Sequence, residues 1–302
     1  MKNNRIYYEV NIANGLFKVV DRVYQIRGFD QATMTIIEGD TGLIVVDPLT
    51  VNEASKAGLD LYYQHRPRKP VVAVIYTHSH SDHYGGVKGV ISEEDVTSGK
   101  VRIYAPNGFM NAVVNETLII GNALFRRAAF QFGPLLPRGE RGNVDAGLGK
   151  VSFAGTTSLI PPTDTIEKPS ESRTIDGVEF DFMNTPNTEA PAEMIFYLPQ
   201  FRVLDMAEIV THNLHNLLPL RGTQVRDANA WAKDINQALA DFGPKTDVLI
   251  AQHQWPVWGT ERVDTILRKQ RDLYKFINDQ TIRLITDPAR NICNIYRYFP
   301  SN

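Results

Sequence analysis

The stretch VVAVIYTHSHSDHYGG, residues 71–86, runs from an apolar segment directly into a cluster of potential metal ligands. Its first seven residues are almost wholly apolar, as expected of a strand that is buried on both faces of a sheet. The polar residues begin where such a strand would end, and sites of layered α/β proteins lie at that edge of the sheet. The stretch therefore predicts a metal site at the carboxyl end of a buried strand.

The predicted ligands are three histidines and one aspartate at fixed spacings. His78 and His80 are two residues apart, so both imidazoles point to the same side if the strand conformation persists, while Asp82 and His83 follow in the loop. Only 7 residues of the chain are histidines, which makes this grouping an improbable coincidence. Two ions side by side would use all four side chains. The alternative is a solvated polar loop with hydrogen-bonded histidines.

The composition restricts the number of domains and the kinds of partner that the chain can have. With 302 residues, of which 43% are hydrophobic and 22% charged, the chain is typical of a globular protein with one large α/β domain or two small ones. The net charge of -2 and the lack of basic tracts argue against nucleic acid or an anionic membrane as the main partner. No stretch of about 18 apolar residues predicts an integral membrane segment. The N-terminus shows no signal peptide, and the single cysteine, Cys293, cannot form an internal disulfide.

Two β-rich halves alternate with helices along the chain. The first half predicts an antiparallel meander and then a strand, a helix at 51–65 and the strand that begins the ligand stretch. The second half predicts strands at 178–183, 194–198, 202–205 and 248–251, with helices at 228–242 and 261–285. This order predicts an α+β fold, a four-layer αββα sandwich. An apolar segment at 107–132 is predicted to be helical, either as a core helix or as the wall of an apolar substrate site.

Three further segments sharpen the assignment. A strand ending in HSHSDH and two glycines resembles the metallo-β-lactamase superfamily, although the chain has no histidine between His83 and His212, where the generic pattern places one. The segments NTPNTEAPAEM (184–194), MAEIVTHNLHNLLPLRG (206–222) and AQHQWPVWG (251–259) resemble the alkyl sulfatases of that superfamily. Those are zinc enzymes that cleave dodecyl sulfate and related alkyl sulfate esters. The resemblance implies the metallo-β-lactamase-like sandwich with a helical insert at about 107–150.

The resemblance also implies a binuclear zinc site, with two Zn²⁺ per chain and a metal-bound water as the nucleophile. One zinc would be held by His78, His80 and Glu189, the other by Asp82, His83 and His253, and Glu208 would bridge or flank the pair. Carboxylate oxygens and imidazole nitrogens are both accepted by zinc.

The resemblance also implies roles for residues next to the metals. Asn216 and Arg221 are similar to the family's sulfate-binding pair, in which the arginine fork and the amide hold an oxyanion. Glu193 is expected to support the ligands at most, and His212 and His215 to be structural or adjacent to the ligands.

The resemblance covers about residues 6–285 and predicts one catalytic domain over residues 1–302, with a divergent tail at about 286–302. Full-length alkyl sulfatases carry an export segment and downstream dimerisation and sterol-carrier-like domains, which are expected to be absent here. A full-length parent is accordingly expected to be periplasmic or secreted, and to form a homodimer. Two alternatives stay open: another hydrolase of the same fold, such as a lactamase, thioesterase or phosphodiesterase, and a non-catalytic remnant.

Overall fold

A computed structural model describes residues 13–150 and 154–287. Cys293, the predicted divergent tail after 287 and the first twelve residues lie outside this range. Within it the predicted αββα sandwich is confirmed: two sheets pack face to face, and each is covered by helices on its outer side.

The first sheet has seven strands in chain order. Strands β1 to β4 pair antiparallel, and β4 to β7 pair parallel. The parallel part is connected by helices, as the predicted strand–helix–strand unit requires. The strands are β1 Gly15–Val20, β2 Val23–Arg27, β3 Met34–Glu38, β4 Leu43–Val46, β5 Val71–Ile75, β6 Arg102–Pro106 and β7 Asp164–Ile166.

The second sheet has six strands in the order β13-β12-β11-β10-β9-β8, all antiparallel except the β11–β12 pair. Its strands are β8 Ser170–Ile175, β9 Val178–Asn184, β10 Met194–Leu198, β11 Val203–Asp205, β12 Val248–Ile250 and β13 Val257–Trp258. Strands β7, β8 and β13 were not predicted from the sequence. Strand β8 is polar and largely exposed, so no apolar pattern marks it.

Helices complete the outer layers and the connections. They are α1 Asn52–His65, α2 Ser81–Tyr84, α3 Glu93–Thr97, α4 Phe109–Val113, α5 Gly121–Phe132, α6 Ala228–Asp241 and α7 Thr260–Thr286, with short 3₁₀ turns at Val87–Gly89 and Gly243–Lys245 and a π-helical segment at Val114–Ile119. No helix within the described ranges is long and apolar enough to cross a lipid bilayer.

Three apolar clusters hold the layers together. In β4, Leu43 and Val45 pack towards the helices of the first outer layer, whereas Ile44 and Val46 pack between the two sheets. This alternation follows from the two-residue period of a strand. Fully burying one such side chain stabilises the fold by about 1.5 to 3 kcal/mol. The third cluster, around Trp231, joins the second sheet to α6 and α7.

The predicted helix at 107–132 is divided into three parts. Helix α4 packs its Phe109 and Val113 into the first core cluster, but the π-helical segment at Val114–Ile119 and helix α5 follow with largely exposed side chains. In α5 only Ala128 is buried, so the interpretation of this whole segment as a core helix is wrong. Its apolar residues cover a cavity instead.

Candidate metal centre and active site

The ligand stretch after β5 does not continue as a strand. Strand β5 ends at Ile75, and beyond it His78 keeps only an isolated antiparallel bridge with Glu193. Asp82 and His83 lie in the short helix α2 rather than in the predicted loop. The helix turns His83 back under His78, with their ring centroids 3.9 Å apart.

The first potential ligand group joins the ligand stretch to the second sheet. The Nδ1 of His80 lies 2.7 Å from the Oε2 of Glu189, and the Nε2 of His78 lies 3.3 Å from the same oxygen. Glu189 comes from the connection between β9 and β10. The Nε2 of His78 is also 3.3 Å from the Oε2 of Glu208, which follows β11. All four side chains are buried, and one atom of each lies within 4.8 Å of the others.

The second group contains Asp82, His83 and His253. The Nε2 of His83 is 3.3 Å from the Oδ2 of Asp82, and the Nε2 of His253 is 3.7 Å from that oxygen. Glu208 reaches this group as well, since its Oε2 lies 3.4 Å from His83 and 3.1 Å from His253. One oxygen of Glu208 therefore lies between the two groups.

Several polar atoms at the centre of this cluster are buried and make no hydrogen bond of normal geometry, even where a neighbouring ligand atom lies close by. They are the Nε2 atoms of His78, His83 and His253 and the Oε2 of Glu189. Unpaired polar atoms are costly in a protein interior, and four of them converging on one place fit a cation that would satisfy all of them. The residues therefore fit a metal centre made of imidazole nitrogens and carboxylate oxygens.

The electrostatics favour the ligating forms of His78 and of the three carboxylates. Without a metal, and against the effect of burial, Asp82 raises the pKa of His83 and Glu208 raises that of His253, so a cation bound there would displace a proton from each imidazole. Burial and the nearby His83 lower the pKa of His78, which favours the neutral imidazole. Burial alone would raise the pKa values of the carboxyl groups, but the neighbouring cations reverse that effect. His83 lowers the pKa of Asp82, Arg226 that of Glu189, and His253 that of Glu208. The carboxylates are therefore ionised and able to bind a cation.

Each histidine of the second group is oriented by a contact to its Nδ1 atom. Asp47, directly after β4, has its Oδ2 2.7 Å from the Nδ1 of His83 and also accepts hydrogen bonds from the backbone and hydroxyl of Thr77. The Nδ1 of His253 lies 3.0 Å from the carbonyl oxygen of Gln31. Both contacts leave Nε2 free for a metal, the arrangement that commonly fixes metal-binding histidines. Asp47 was not predicted as a site residue, although β4 and β5 are parallel neighbours whose carboxyl ends share one edge of the sheet.

His215 and His212 lie in different environments. His215 is buried, and its Nε2 lies 2.9 Å from the Oε1 of Glu208, the oxygen that faces away from the histidines of the two groups. His212 is exposed and bonds to the carbonyl of Trp255. The expectation that both lie outside the ligand set agrees with this placement.

Arg221 and Asn216 line the cavity at the metal end. A terminal nitrogen of Arg221 lies 3.4 Å from the Nε2 of His80, and the Arg221 backbone is anchored on the side-chain oxygen of Gln131. Asn216 is held by Arg226, a buried residue that the sequence analysis did not single out. The Arg226 guanidinium also contacts the Glu189 carboxylate, so it links a predicted ligand to a predicted sulfate-binding residue.

The cavity in front of the metal cluster measures about 550 Å³. His80, Asp82, Glu189 and Glu208 lie at one end, and its other walls carry apolar side chains, among them Leu124, Phe125, Ala128, Phe132, Leu148 and Leu214. The volume lies within the range of about 300 to 1,000 Å³ that is typical of small-molecule sites. The segment at 107–132 thus supplies an apolar wall of the cavity.

Comparisons with known proteins agree with this architecture. The chain is 58% identical over 291 residues to alkyl/aryl-sulfatase BDS1 of Saccharomyces cerevisiae, covering 96% of this chain and 45% of the relative. It is 52% identical over 275 residues to a linear primary-alkylsulfatase of Pseudomonas sp., covering 91% of this chain and 41% of the relative. The chain thus spans less than half the length of these relatives.

A solved structure is similar over almost the whole chain. The stereoselective inverting sec-alkylsulfatase Pisa1 from Pseudomonas sp. superposes with a TM-score of 0.93 at 47% identity, covering 98% of this chain and 47% of that one. A sequence model of the metallo-beta-lactamase superfamily matches residues 27–253, the span that contains both potential ligand groups. The chain belongs to the metallo-beta-lactamase superfamily.

Proposed function

We propose that this chain is the catalytic part of a zinc-dependent alkyl sulfatase, which hydrolyses alkyl sulfate esters to an alcohol and inorganic sulfate. The observation that carries the proposal is the cavity itself, which combines a buried His/carboxylate cluster, an adjacent arginine and apolar walls. A long-chain sulfate ester has the same division into an anionic head and an apolar tail. Three relatives named as alkyl or alkyl/aryl sulfatases support this choice of substrate.

The metal assignment is part of the proposal. Two Zn²⁺ ions per chain would be held by the two groups described above, with His78, His80 and Glu189 for the first, Asp82, His83 and His253 for the second, and Glu208 contacting both. With nitrogen and carboxylate donors in each group, the set suits zinc.

The reaction divides between the metals and the residues around the cavity. Zinc bound there would lower the pKa of a coordinated water to about 7 and would thus supply a nucleophile without a catalytic serine or cysteine. Arg221 and Asn216 would hold the sulfate oxygens through charge-assisted and amide hydrogen bonds. The apolar walls would bind the alkyl chain and exclude bulk water from the ester, which strengthens those polar contacts.

We further propose that the carbon–oxygen bond breaks. Negative charge grows on the sulfate when it leaves from carbon, and Arg221 and Asn216 are placed to stabilise that charge. Attack at sulfur would instead bring a nucleophile towards an already anionic centre. The solved Pseudomonas relative is described as inverting, and inversion at a carbon requires that the carbon be attacked.

Turnover assays on the purified chain test the reaction. The proposal predicts zinc-dependent release of sulfate from dodecyl sulfate, with no comparable release of phosphate from dodecyl phosphate. Turnover of phosphate or acyl esters alone would favour another hydrolase of the same fold. Bound metal without turnover of any ester would favour a non-catalytic remnant.

Reaction in heavy-oxygen water tests the bond that breaks. Attack at carbon places the label in the alcohol, whereas attack at sulfur places it in the sulfate. Label confined to the sulfate would contradict carbon–oxygen cleavage while leaving the sulfatase assignment intact.

A further inference from the structure

Glu193 lies at the centre of the segments that carry the proposed ligands, but no atom of it belongs to either group. It directly precedes β10, it is fully buried, and its backbone forms the isolated bridge with His78. Its carbonyl oxygen also accepts a 2.8 Å hydrogen bond from the backbone of Thr185. Glu193 is thus fixed at the meeting point of the first and second sheets.

The two carboxylate oxygens of Glu193 bind two different ligand-bearing segments. Oε2 accepts hydrogen bonds from the hydroxyl of Thr188 at 2.8 Å, the backbone N–H of Glu189 at 3.0 Å and that of Ala190 at 3.2 Å. Oε1 accepts the backbone N–H of Glu208 at 3.1 Å. One side chain therefore connects the backbones of two of the proposed carboxylate ligands, Glu189 and Glu208, which lie far apart in the chain.

We propose that Glu193 is the positioning residue that sets the distance between Glu189 and Glu208 and thereby forms the first metal group. This inference rests on the proposed metal centre and identifies what holds it in shape. The segment around Glu189 lies between strands, so its backbone N–H groups have no strand partner there. Glu193 provides that partner, because the two oxygens of its carboxyl group can accept several N–H groups at once.

The second group has supports of its own. His83 is oriented by Asp47 and His253 by the carbonyl of Gln31, and neither contact involves Glu193. The second group meets Glu193 only through Glu208. Loss of the Glu193 contacts should therefore weaken the binding of the first ion more than that of the second.

The test is Glu193→Gln, which keeps the size and shape of the side chain. An amide nitrogen cannot accept a hydrogen bond. In one orientation of the new amide its NH2 group faces the backbone N–H of Glu208, and that hydrogen bond is lost. In the other orientation the NH2 group faces the three donors of Thr188, Glu189 and Ala190 instead. Residues that orient metal ligands typically contribute about 10- to 100-fold to metal affinity. We expect one of the two zinc ions to be released to a chelator about 10 to 100 times faster than from the parent protein, and the other to be little affected.

Glu179→Gln is the matched control, because it removes a carboxylate from an exposed position on the same sheet. It should release both ions at the parent rate. If Glu193→Gln does not fold, Glu193→Asp is measured instead. The shorter side chain keeps both acceptor oxygens but cannot reach both segments, so one ion should still be released faster.

Two results would overturn the inference. One is release of both ions at the parent rate from the Gln or Asp variant. The other is an equal acceleration for both ions, which would indicate general destabilisation rather than positioning of the first group. Failure of the parent protein itself to bind zinc would instead refute the proposed metal centre.

Discussion

The metal cluster and the helical wall face each other across one cavity, but they are built in opposite ways. The cluster lies at the ends of paired strands, and its side chains are buried and held by other buried groups, as when Asp47 holds His83. The wall consists of a π-helical segment and helix α5, in which every apolar side chain except Ala128 is exposed or only partly buried. Phe130 is 93% exposed and Leu118 is 75% exposed.

This difference fits the two tasks that the proposed function requires. Chemistry at a metal centre requires ligand atoms to be fixed within fractions of an ångström, and packed strands with buried hydrogen bonds provide that rigidity. Binding an alkyl chain requires apolar area but little directional precision, since the hydrophobic effect depends on area. Substitutions in the cluster should therefore have large effects, and substitutions in the wall small ones.

The largest effect is expected from Glu208→Ala. The variant removes the oxygen that lies between the two groups and leaves three buried imidazole nitrogens facing an empty space. We expect loss of at least one zinc per chain and a decrease in kcat/KM of more than about 100-fold, beyond the cost of losing an orienting residue. Elemental analysis and kinetics with dodecyl sulfate measure both. Unchanged zinc content would show that Glu208 is not a ligand.

A smaller effect, without loss of metal, is expected from Arg221→Ala. Removing a charge-assisted contact to the sulfate should cost about 2 to 4 kcal/mol of transition-state stabilisation, measured as a decrease in kcat/KM. Zinc content should stay at the parent value, since no ligand is removed. Arg262→Ala, an exposed change on α7, is the control. Parent kinetics for Arg221→Ala would remove this residue from the substrate site.

Asp47→Asn tests whether the rigidity of the cluster comes from residues outside the ligand set. The amide replaces one of the two oxygens that accept from Thr77 and His83. Metal affinity should fall about 10- to 100-fold, as is typical for partners of metal-binding histidines. A competition titration with a chromophoric chelator measures the affinity. Parent affinity would mean that His83 is oriented by its packing alone.

The smallest effect on activity is expected on the solvent-facing side of the wall, with Phe130→Ser. This side chain is exposed and lies outside the cavity lining, so kcat/KM should stay within about twofold of the parent value. The exposed apolar surface should nevertheless cause the parent chain to associate with increasing concentration and to bind hydrophobic dyes. The variant should reduce both properties in light scattering and dye fluorescence. A parent protein that stays monomeric and binds no dye would contradict this account of the wall.

The parts that the sequence predicted are those with local patterns. Apolar runs predicted β4, β5, β10 and β12. The HSHSDH motif predicted four potential ligands between residues 78 and 83. The other potential ligands were named through the three further motifs. Glu189 and Glu208 would otherwise resemble ordinary surface carboxylates, and only folding brings an oxygen of each to 3.3 Å from the Nε2 of His78.

The parts that the sequence did not predict depend on contacts between distant segments. Asp47 lies 36 residues before His83, and Arg226 lies 37 residues after Glu189, so no local spacing relates them. Helix α5 was ambiguous for another reason. Its apolar pattern suits burial in a core as well as a cavity wall, and only the position of the neighbouring sheets decides between them.

Zinc titration of the metal-free protein tests the central claim most directly. The protein is stripped with a chelator, zinc is added in steps, and sulfate release from dodecyl sulfate is measured at each step. The two groups sharing Glu208 predict that activity rises with added zinc and reaches its plateau at two equivalents per chain. A folded protein that binds zinc but releases no sulfate at any zinc content, or one that is fully active without metal, would contradict the account.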